Sequence, residues 1–348
     1  MRNKPWPYWD GKPSCKKMKW LIAVAVLVPL VVSAKKPESR RRRGFEFTYI
    51  ADIKVPEGAR RLDLWMPYPR TDENQVIEVL RISAPYPTDI HKDAKYGNSI
   101  LYLHADNPRE RSLRVEMKFR VTRREYVRRD YALADRALPR STDQSLKKWL
   151  QPDRLVPIDG YIKELAEEVT DGRTSALDKV QAIYDYTVDN LKYDKSGTGW
   201  GRGDIYYACD TKRGNCTDFH AVFIGFARAV GIPAKFAIGF PLPVDRGEGE
   251  IAGYHCWAEF YLPGYGWVPV DTSEANKNPG KREYFFGAHD ENRVEFTIGR
   301  DIVLSPEQKS NPINYFIYPY AEVDGQSITD IEKRFFFQDI PRNVAASE

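Results

Sequence analysis

The sequence predicts an α+β protein, with strands first, a helical middle and strands again. Three observations carry this. From Gly44 to about Val127, apolar and polar residues alternate in short runs separated by Pro, Gly and Asn, the period-2 pattern of half-buried strands. Between Ile162 and Val230 the apolar spacing changes to three and four residues, the period of a helix face. Beyond Ala234 the alternation returns. Runs of strands and runs of helices grouped in this way define the α+β class.

Trp20–Ala34 forms the one long apolar run. At about 15 residues it is short for a membrane span and suits a signal-peptide core. Lys16, Lys17 and Lys19 supply a basic n-region, Val32-Ser33-Ala34 offers small residues for cleavage, and Met18 offers an alternative start. Residues 1–34 are therefore expected to be a signal peptide or an N-terminal membrane anchor. The protein is then periplasmic or secreted, and attached to a membrane through residues 20–34 where the segment is retained. Lys35, Lys36 and Arg40–Arg43 follow directly, and positive charge at that point opposes export. Residues 35–43 read as a basic linker. Of the 53 Lys/Arg and 49 Asp/Glu residues, twelve and two precede Gly44, which leaves the body at −6. A mildly acidic body gives no basic face, so nucleic acid is not an expected partner.

Residues 44–127 are expected to form an antiparallel β-sandwich. Phe45–Ile50, Arg61–Met66, Val76–Ile82, Ser99–Leu103 and Leu113–Val121 are its strands; in the last, Leu113, Val115, Met117, Phe119 and Val121 share one face. His91 and His104 stand alone there and read as structural or surface residues. Residues 128–160 read as a connector with several prolines. Residues 161–348 read as the catalytic region with a C-terminal β extension. It opens with helices at Ile162–Val169 and Ser175–Leu191. The second carries Leu177, Val180, Ile183, Tyr184, Val188 and Leu191 on one face, with Ser175 and Asp178 outlining a capping box. Lys195–Asp204 is Gly-rich but lacks a Gly-Lys-Ser/Thr ending, so it is no phosphate loop. Trp200 within it is a candidate site wall or a packing anchor.

Arg213-Gly214-Asn215-Cys216-Thr217-Asp218-Phe219-His220 then leads into a helix. Phe219, Val222, Phe223, Phe226, Ala227 and Val230 fall at helical spacing, and Gly231 and Pro233 stop the run. Cys216 is placed at the helix N-terminus, where the macrodipole and unpaired N–H groups favour a thiolate. A strand at Ala234–Phe240 follows. Tyr254–Tyr261 and Trp267–Asp271 then form a hairpin around Pro263-Gly264-Tyr265-Gly266. If Tyr261 faces Trp267, His255 lies diagonally beside Asp271; a one-residue slip would separate them. Cys256 is expected on the opposite strand face from His255, and so not to act as a second nucleophile. Further strands are expected at Val294–Ile298, Ile302–Leu304, Asn314–Tyr320 and Arg334–Phe337, all extending the catalytic sheet.

Four cysteines, Cys15, Cys209, Cys216 and Cys256, are too few for a disulfide scaffold. No C-x-x-C pair and no calcium-type acidic cluster occur, so no metal or cofactor is expected. A Cys–His–Asp set is the equipment of a thiol acyl-transfer site. The imidazole takes the thiol proton, the thiolate attacks an acyl carbon, and the carboxylate orients the ring. The Cys216 backbone N–H is a natural donor to the oxyanion.

These stretches resemble a known family. Gly214–His220 with Ala229–Ala234, then Tyr254–Phe260, then Gly266–Asp271, resemble in order and spacing the motifs of the transglutaminase-like superfamily. The resemblance covers about residues 175–275, and more loosely an N-terminal sandwich as in several bacterial members. It implies a papain-like core, in which a Cys-bearing helix packs on an antiparallel sheet. It implies hydrolysis or acyl transfer at peptide or isopeptide amide bonds of a peptide or protein substrate. Cys216 is then the nucleophile, His255 the base and Asp271 the orienter. Many bacterial members look like proteases, so hydrolysis is expected ahead of amine-incorporating cross-linking, with a silent peptide-binding scaffold as a third reading. Trp200, Tyr207 and Trp257 are candidates for site wall or oxyanion support. His220 stands where many members have Ala; it either tunes the thiol or packs in the core. Asp218 is read as a first-turn residue that holds the loop.

Overall fold

Alternating apolar residues build seven strands at the N-terminal end: β1 (Arg42–Lys54), β2 (Arg61–Tyr68), β3 (Gln75–Ser83), β4 (Thr88–Lys92), β5 (Ser99–Asp106), β6 (Ser112–Arg124) and β7 (Tyr126–Val127). The middle holds α1 (Gln144–Lys147), α2 (Gly160–Val169), α3 (Ala176–Asn190), β8 (Lys192–Tyr193), α4 (Ile205–Thr211), β9 (Arg213–Gly214) and α5 (Cys216–Ala229). Next come β10 (Ala234–Pro241), β11 (Glu248–Glu250), β12 (His255–Leu262), β13 (Gly266–Val270), α6 (Thr272–Lys277), α7 (Arg282–Phe285) and β14 (Ala288–His289). The chain ends with β15 (Arg293–Ile298), β16 (Tyr320–Val323), β17 (Gln326–Ile328) and β18 (Ile331–Asp339). The structure, a computed structural model, describes residues 40–131 and 143–341. The signal or anchor segment expected at 1–34, linker residues 35–39 and residues 132–142 of the connector lie outside the described residues. Arg42 and Arg43, expected in the linker, already belong to β1. The Arg43 guanidinium donates to Asp339 at 2.8 Å and to Asn292 at 2.9 Å.

The central helix forms where the sequence places it. Asn215 caps α5 by accepting from Thr217 N at 2.9 Å, and the Asp218 carboxylate accepts from Asn215 N at 2.9 Å. This reciprocal box satisfies donors that a helix start leaves open, and a cap of this kind is worth about 1 kcal/mol. Gly231, at φ +82°, turns the chain in the left-handed region, and Ile232 N reaches back to Ala227 O at 2.8 Å. Every residue from Cys216 to Arg228 is buried. Arg228 is tolerated because it pairs with buried Asp153 at 2.7 Å and caps Ala234 O at 2.9 and 3.0 Å. On α3, Ser175 accepts from Asp178 N at 3.0 Å, but Asp178 turns to the Ser175 hydroxyl, not its backbone N–H.

One sheet carries α5, and two larger sheets meet it through β15. The site sheet is antiparallel in the order β13-β12-β10-β15, with α5 packed on β12 and β10. This is the α+β core expected, a Cys-bearing helix on an antiparallel sheet. Two five-stranded sheets have the orders β11-β18-β1-β6-β3 and β17-β16-β2-β5-β4. They are completed from the far end of the chain: β18 pairs with β1, and β16 with β2. Of the C-terminal strands expected to extend the catalytic sheet, Val294–Ile298 does so as β15, whereas Arg334–Phe337, within β18, pairs with β1 instead. Burial explains the difference. Phe335 on β18 packs 4.7 Å from Tyr49 and 4.3 Å from Phe240, filling a gap between β1 and the site sheet. Phe296 on β15 joins the same aromatic cluster, 5.5 Å from Phe47.

Two expected strands are absent as such. Ile302 makes a single bridge to Ile313, and the segment before Tyr320 is irregular. Its polar side chains brace the Gly-rich loop instead. Arg300 donates to Gly203 O at 2.8 Å, Asn314 to Arg202 O at 2.8 Å and Tyr315 to Gly201 O at 2.8 Å.

Candidate active site

Cys216 occupies the first position of α5, where its backbone N–H is one of the donors without an intrahelical partner. The loop before it is fixed by Asp218. Oδ2 accepts from Gly201 N at 2.7 Å as well as from Asn215 N, and Oδ1 accepts from Gly203 N at 3.0 Å. Burial raises the Asp218 carboxyl above its ordinary range, and these N–H groups oppose that rise. Gly214 is needed here for close approach: a Cβ at that position would lie 2.3 Å from Asp218 Oδ2.

His255 opens β12. The hairpin register sets Tyr261 opposite Trp267 and Ala258 opposite Val270, the register the sequence predicts. His255 Nε2 lies 2.8 Å from Asp271 Oδ2, so Nδ1 is the nitrogen left for the thiol. Asp271 is fully buried and caps α6, accepting from Glu274 N at 3.0 Å and Ser273 Oγ at 3.1 Å through Oδ1. Arg293 Nη1 adds a contact to Oδ2 at 3.1 Å.

The charges follow from this packing. Burial by itself would push the Cys216 thiol up, but contacts with Cys256 and His255, and the imidazolium charge, hold it well below the ordinary thiol range. Burial would lower His255; the Asp271 carboxylate and the Cys216 thiolate outweigh that and raise it to about 10. Asp271 stays well below the carboxylate range against the same burial, mainly through the charge and hydrogen bond of His255, then Arg293. Both directions favour a thiolate beside an imidazolium.

Cys256 has neighbours that strand alternation alone does not give. It lies on the opposite strand face from His255, as expected, but that face is covered by the N-terminus of α5. Its thiol therefore meets Cys216 and sits 3.7 Å from His220 Nδ1. Burial and the neighbouring thiolate hold Cys256 well above the thiol range, so it remains protonated. His220 accepts this position by donating from Nδ1 to Cys216 O at 2.8 Å, while Nε2 lies 3.7 Å from Asp271 Oδ1. Burial lowers its pKa, so it is a neutral buried imidazole that touches both ends of the site.

Among the remaining candidates, Trp257 is buried and stands beside His255, ring centroids 6.1 Å apart. Trp200 Nε1 donates to Gly197 O at 3.2 Å within its own loop, and Tyr207 packs over Gly199. Among the described residues neither bonds to Cys216, His255 or Asp271. The sequence reading missed two contributors. Tyr254, next to His255, accepts from Asn215 Nδ2 at 3.2 Å and meets Tyr315 OH at 3.2 Å. Arg293 lies on a strand of its own, and no local pattern marks it. The described residues contain no His/Cys/Asp/Glu cluster able to hold a metal ion, and no helix long and apolar enough to cross a membrane.

Comparison with known proteins identifies the family and the fold. Residues 163–272 match the transglutaminase-like superfamily. A Haemophilus influenzae protein of uncharacterised role is 30% identical across 92% of this chain and 98% of its own length. Bacillus subtilis YebA, also uncharacterised, is 27% identical over 34% of this chain and 18% of its own length. A solved Cytophaga hutchinsonii protein, provisionally named a cysteine protease, superposes with a TM-score of 0.60 at 17% identity, covering 87% of this chain and 93% of that one; at that identity the likeness is one of fold. The chain belongs to the transglutaminase-like superfamily.

Proposed function

We propose that this protein is a cysteine-dependent hydrolase or acyltransferase of peptide or isopeptide amide bonds, working through Cys216, His255 and Asp271. The observation that carries the reading is the placement of one imidazole. Its Nε2 is 2.8 Å from a buried carboxylate, and its other side faces a thiol at a helix N-terminus. The thiolate attacks the amide carbon, forming a C–S bond and sending the carbonyl pair to oxygen. The Cys216 backbone N–H stabilises that oxyanion. Collapse breaks the C–N bond, and His255 Nδ1 gives its proton to the leaving amine. Water then loses a proton to His255 and attacks the thioester; the C–S bond breaks and the thiolate returns. Asp271 keeps the ring oriented throughout.

Activity is expected to be flat through neutral pH. It falls on the acid side as the thiolate is protonated, and on the alkaline side near 10 as the imidazolium is lost. The apolar run at Trp20–Ala34, with lysines before it, supports a periplasmic or secreted setting, which cell fractionation tests. The catalytic test is mass analysis of peptide products from protein and cell-wall peptide substrates, beside Cys216→Ala and Asp271→Asn. Wild type should cleave, Cys216→Ala should be inert, and Asp271→Asn should lose activity by a factor on the order of 10³ or more. Amine incorporation into a glutamine peptide, in place of cleavage, would favour cross-linking over hydrolysis. Failure of iodoacetamide to label Cys216 selectively at neutral pH would overturn the thiol reading as a whole.

A further inference from the structure

Asp271 has more partners than a histidine orienter needs. Its Oδ2 accepts from His255 Nε2 at 2.8 Å and from Arg293 Nη1 at 3.1 Å. The chemistry proposed above uses the first contact and leaves the second unexplained. Arg293 is 3% exposed, and burying a guanidinium is costly unless its partners compensate. Its partners are few. The guanidinium carbon lies 4.9 Å from the centroid of the Trp257 ring, Nε lies 3.5 Å from Asp290, and Nε has no hydrogen bond. The residue reaches the site from β15, which is not part of the His–Asp hairpin.

We infer that Arg293 is a positioning residue that divides the Asp271 charge and so sets how strongly the carboxylate holds the His255 imidazolium. This rests on the thiol–imidazole reading above. A buried carboxylate with imidazolium as its sole cationic partner binds the proton on that ring too tightly, and a ring that holds its proton too tightly is a poor acid toward the leaving amine. Arg293 takes up part of the charge on the same oxygen. It also keeps Asp271 ionised against burial, which lets the carboxylate hold one orientation.

The other groups facing the pair do not supply this. From α5 come Cys216, the reacting thiolate, and His220, kept neutral by burial. From β12 comes Cys256, kept protonated. From β14 comes His289, which burial and then the Arg293 charge hold well below the imidazole range. Tyr184 of α3 and Tyr193 of β8 are raised by burial and stay protonated. Glu274 of α6, 3.8 Å from His255 Nε2, is paired with Lys277. Asp290 lies on the far side of the guanidinium. Glu295, two residues along β15, is raised to about 7, by burial first and then by Asp72 and Glu259. Among the described residues, Arg293 is thus the permanent cation bonded to Asp271.

The test is a titration of the full chain labelled with ¹³C-histidine, with the His255 signal assigned by His255→Gln. In Arg293→Met and Arg293→Gln, removal of the charge should move the His255 midpoint up by about one pH unit. Arg293→Lys should leave it within about 0.3 unit of wild type, because the charge remains. Arg293→Gln retains a donor, so it reports on charge where Arg293→Met folds poorly. Midpoints unchanged in both neutral variants, alongside lowered melting temperatures, would overturn the inference and leave Arg293 a structural residue. Wild-type His255 that is already neutral at pH 7, with unreactive Cys216, would instead strike down the underlying thiol–imidazole reading.

Discussion

Replacing Asp218 by Asn isolates the device that holds the thiol in place. The carboxylate accepts three backbone N–H groups from two loops, at 2.7, 2.9 and 3.0 Å, and is fully buried. Asn is nearly the same size but has one acceptor oxygen. Set on Gly201 N and Asn215 N, that oxygen leaves an NH₂ group facing Gly203 N–H, donor against donor. The unsatisfied Gly203 donor costs about 1–3 kcal/mol, and the two surviving bonds each lose the assistance of the charge, about 0.5–1 kcal/mol apiece. Relief from burying a neutral side chain returns part of this, so a net loss of about 3 kcal/mol is expected. For a chain of this size that lowers Tm by roughly 4 °C. Calorimetry measures the loss, and hydrogen exchange of peptides spanning Gly201 and Gly203 localises it. Cys216 should also react more slowly with iodoacetamide, because the Asn215 cap loosens with its box. A variant within about 0.5 kcal/mol of wild type, with the Gly201 and Gly203 amides still protected, would refute the idea that this carboxylate anchors the loop.

Gly214→Ala attacks the same device from the other side. Its Cβ would lie 2.3 Å from Asp218 Oδ2, so a loss of about 3 kcal/mol or more is expected on thermal melting. Arg228→Met leaves Asp153 buried without its 2.7 Å partner and should cost about 3–5 kcal/mol; pairing it with Asp153→Leu should recover much of that in denaturant unfolding. Cys256→Ala removes a contact that holds the Cys216 thiol down. The thiolate absorbance at 240 nm should then appear about 0.5–1 pH unit higher, with little change in stability.

The local parts of this site were legible because local rules determine them. Helical spacing from Phe219 to Val230, with Gly231 after it, located α5. Alternation on either side of Gly264 located the hairpin, and counting residues around that turn brought His255 to Asp271. The full capping box was legible as well, since Asn215-Cys216-Thr217-Asp218 has a capping residue followed three positions later by a carboxylate; the sequence reading took Asp218 as a loop holder without seeing the reciprocal bond. Sequence pattern was silent where a contact depends on which layer lies over which. Alternation placed Cys256 correctly on the far strand face but could not say that α5 covers that face. It assigned strand character to Arg334–Phe337 but not a partner, since a period of two is the same against β1 as against the site sheet.

That ambiguity explains why the two most consequential surprises concern the C-terminal third of the chain. Phe335 and Phe296 enter one aromatic cluster with Tyr49, Phe240 and Phe47, so strands from both ends of the sequence fix the depth of the site sheet. β15 sits at the seam. One side pairs with β10 through a bulge at Ile238/Gly239, where a Cβ on Gly239 would lie 1.8 Å from Val294 O. Its first residue is Arg293, on the Asp271 carboxylate. Close packing at Gly239 therefore sets the reach of Arg293, and the terminal strands set the reach of β15. The hairpin can bring His255 and Asp271 together on its own register, but the arginine that shares that carboxylate arrives on a strand whose position requires the whole fold.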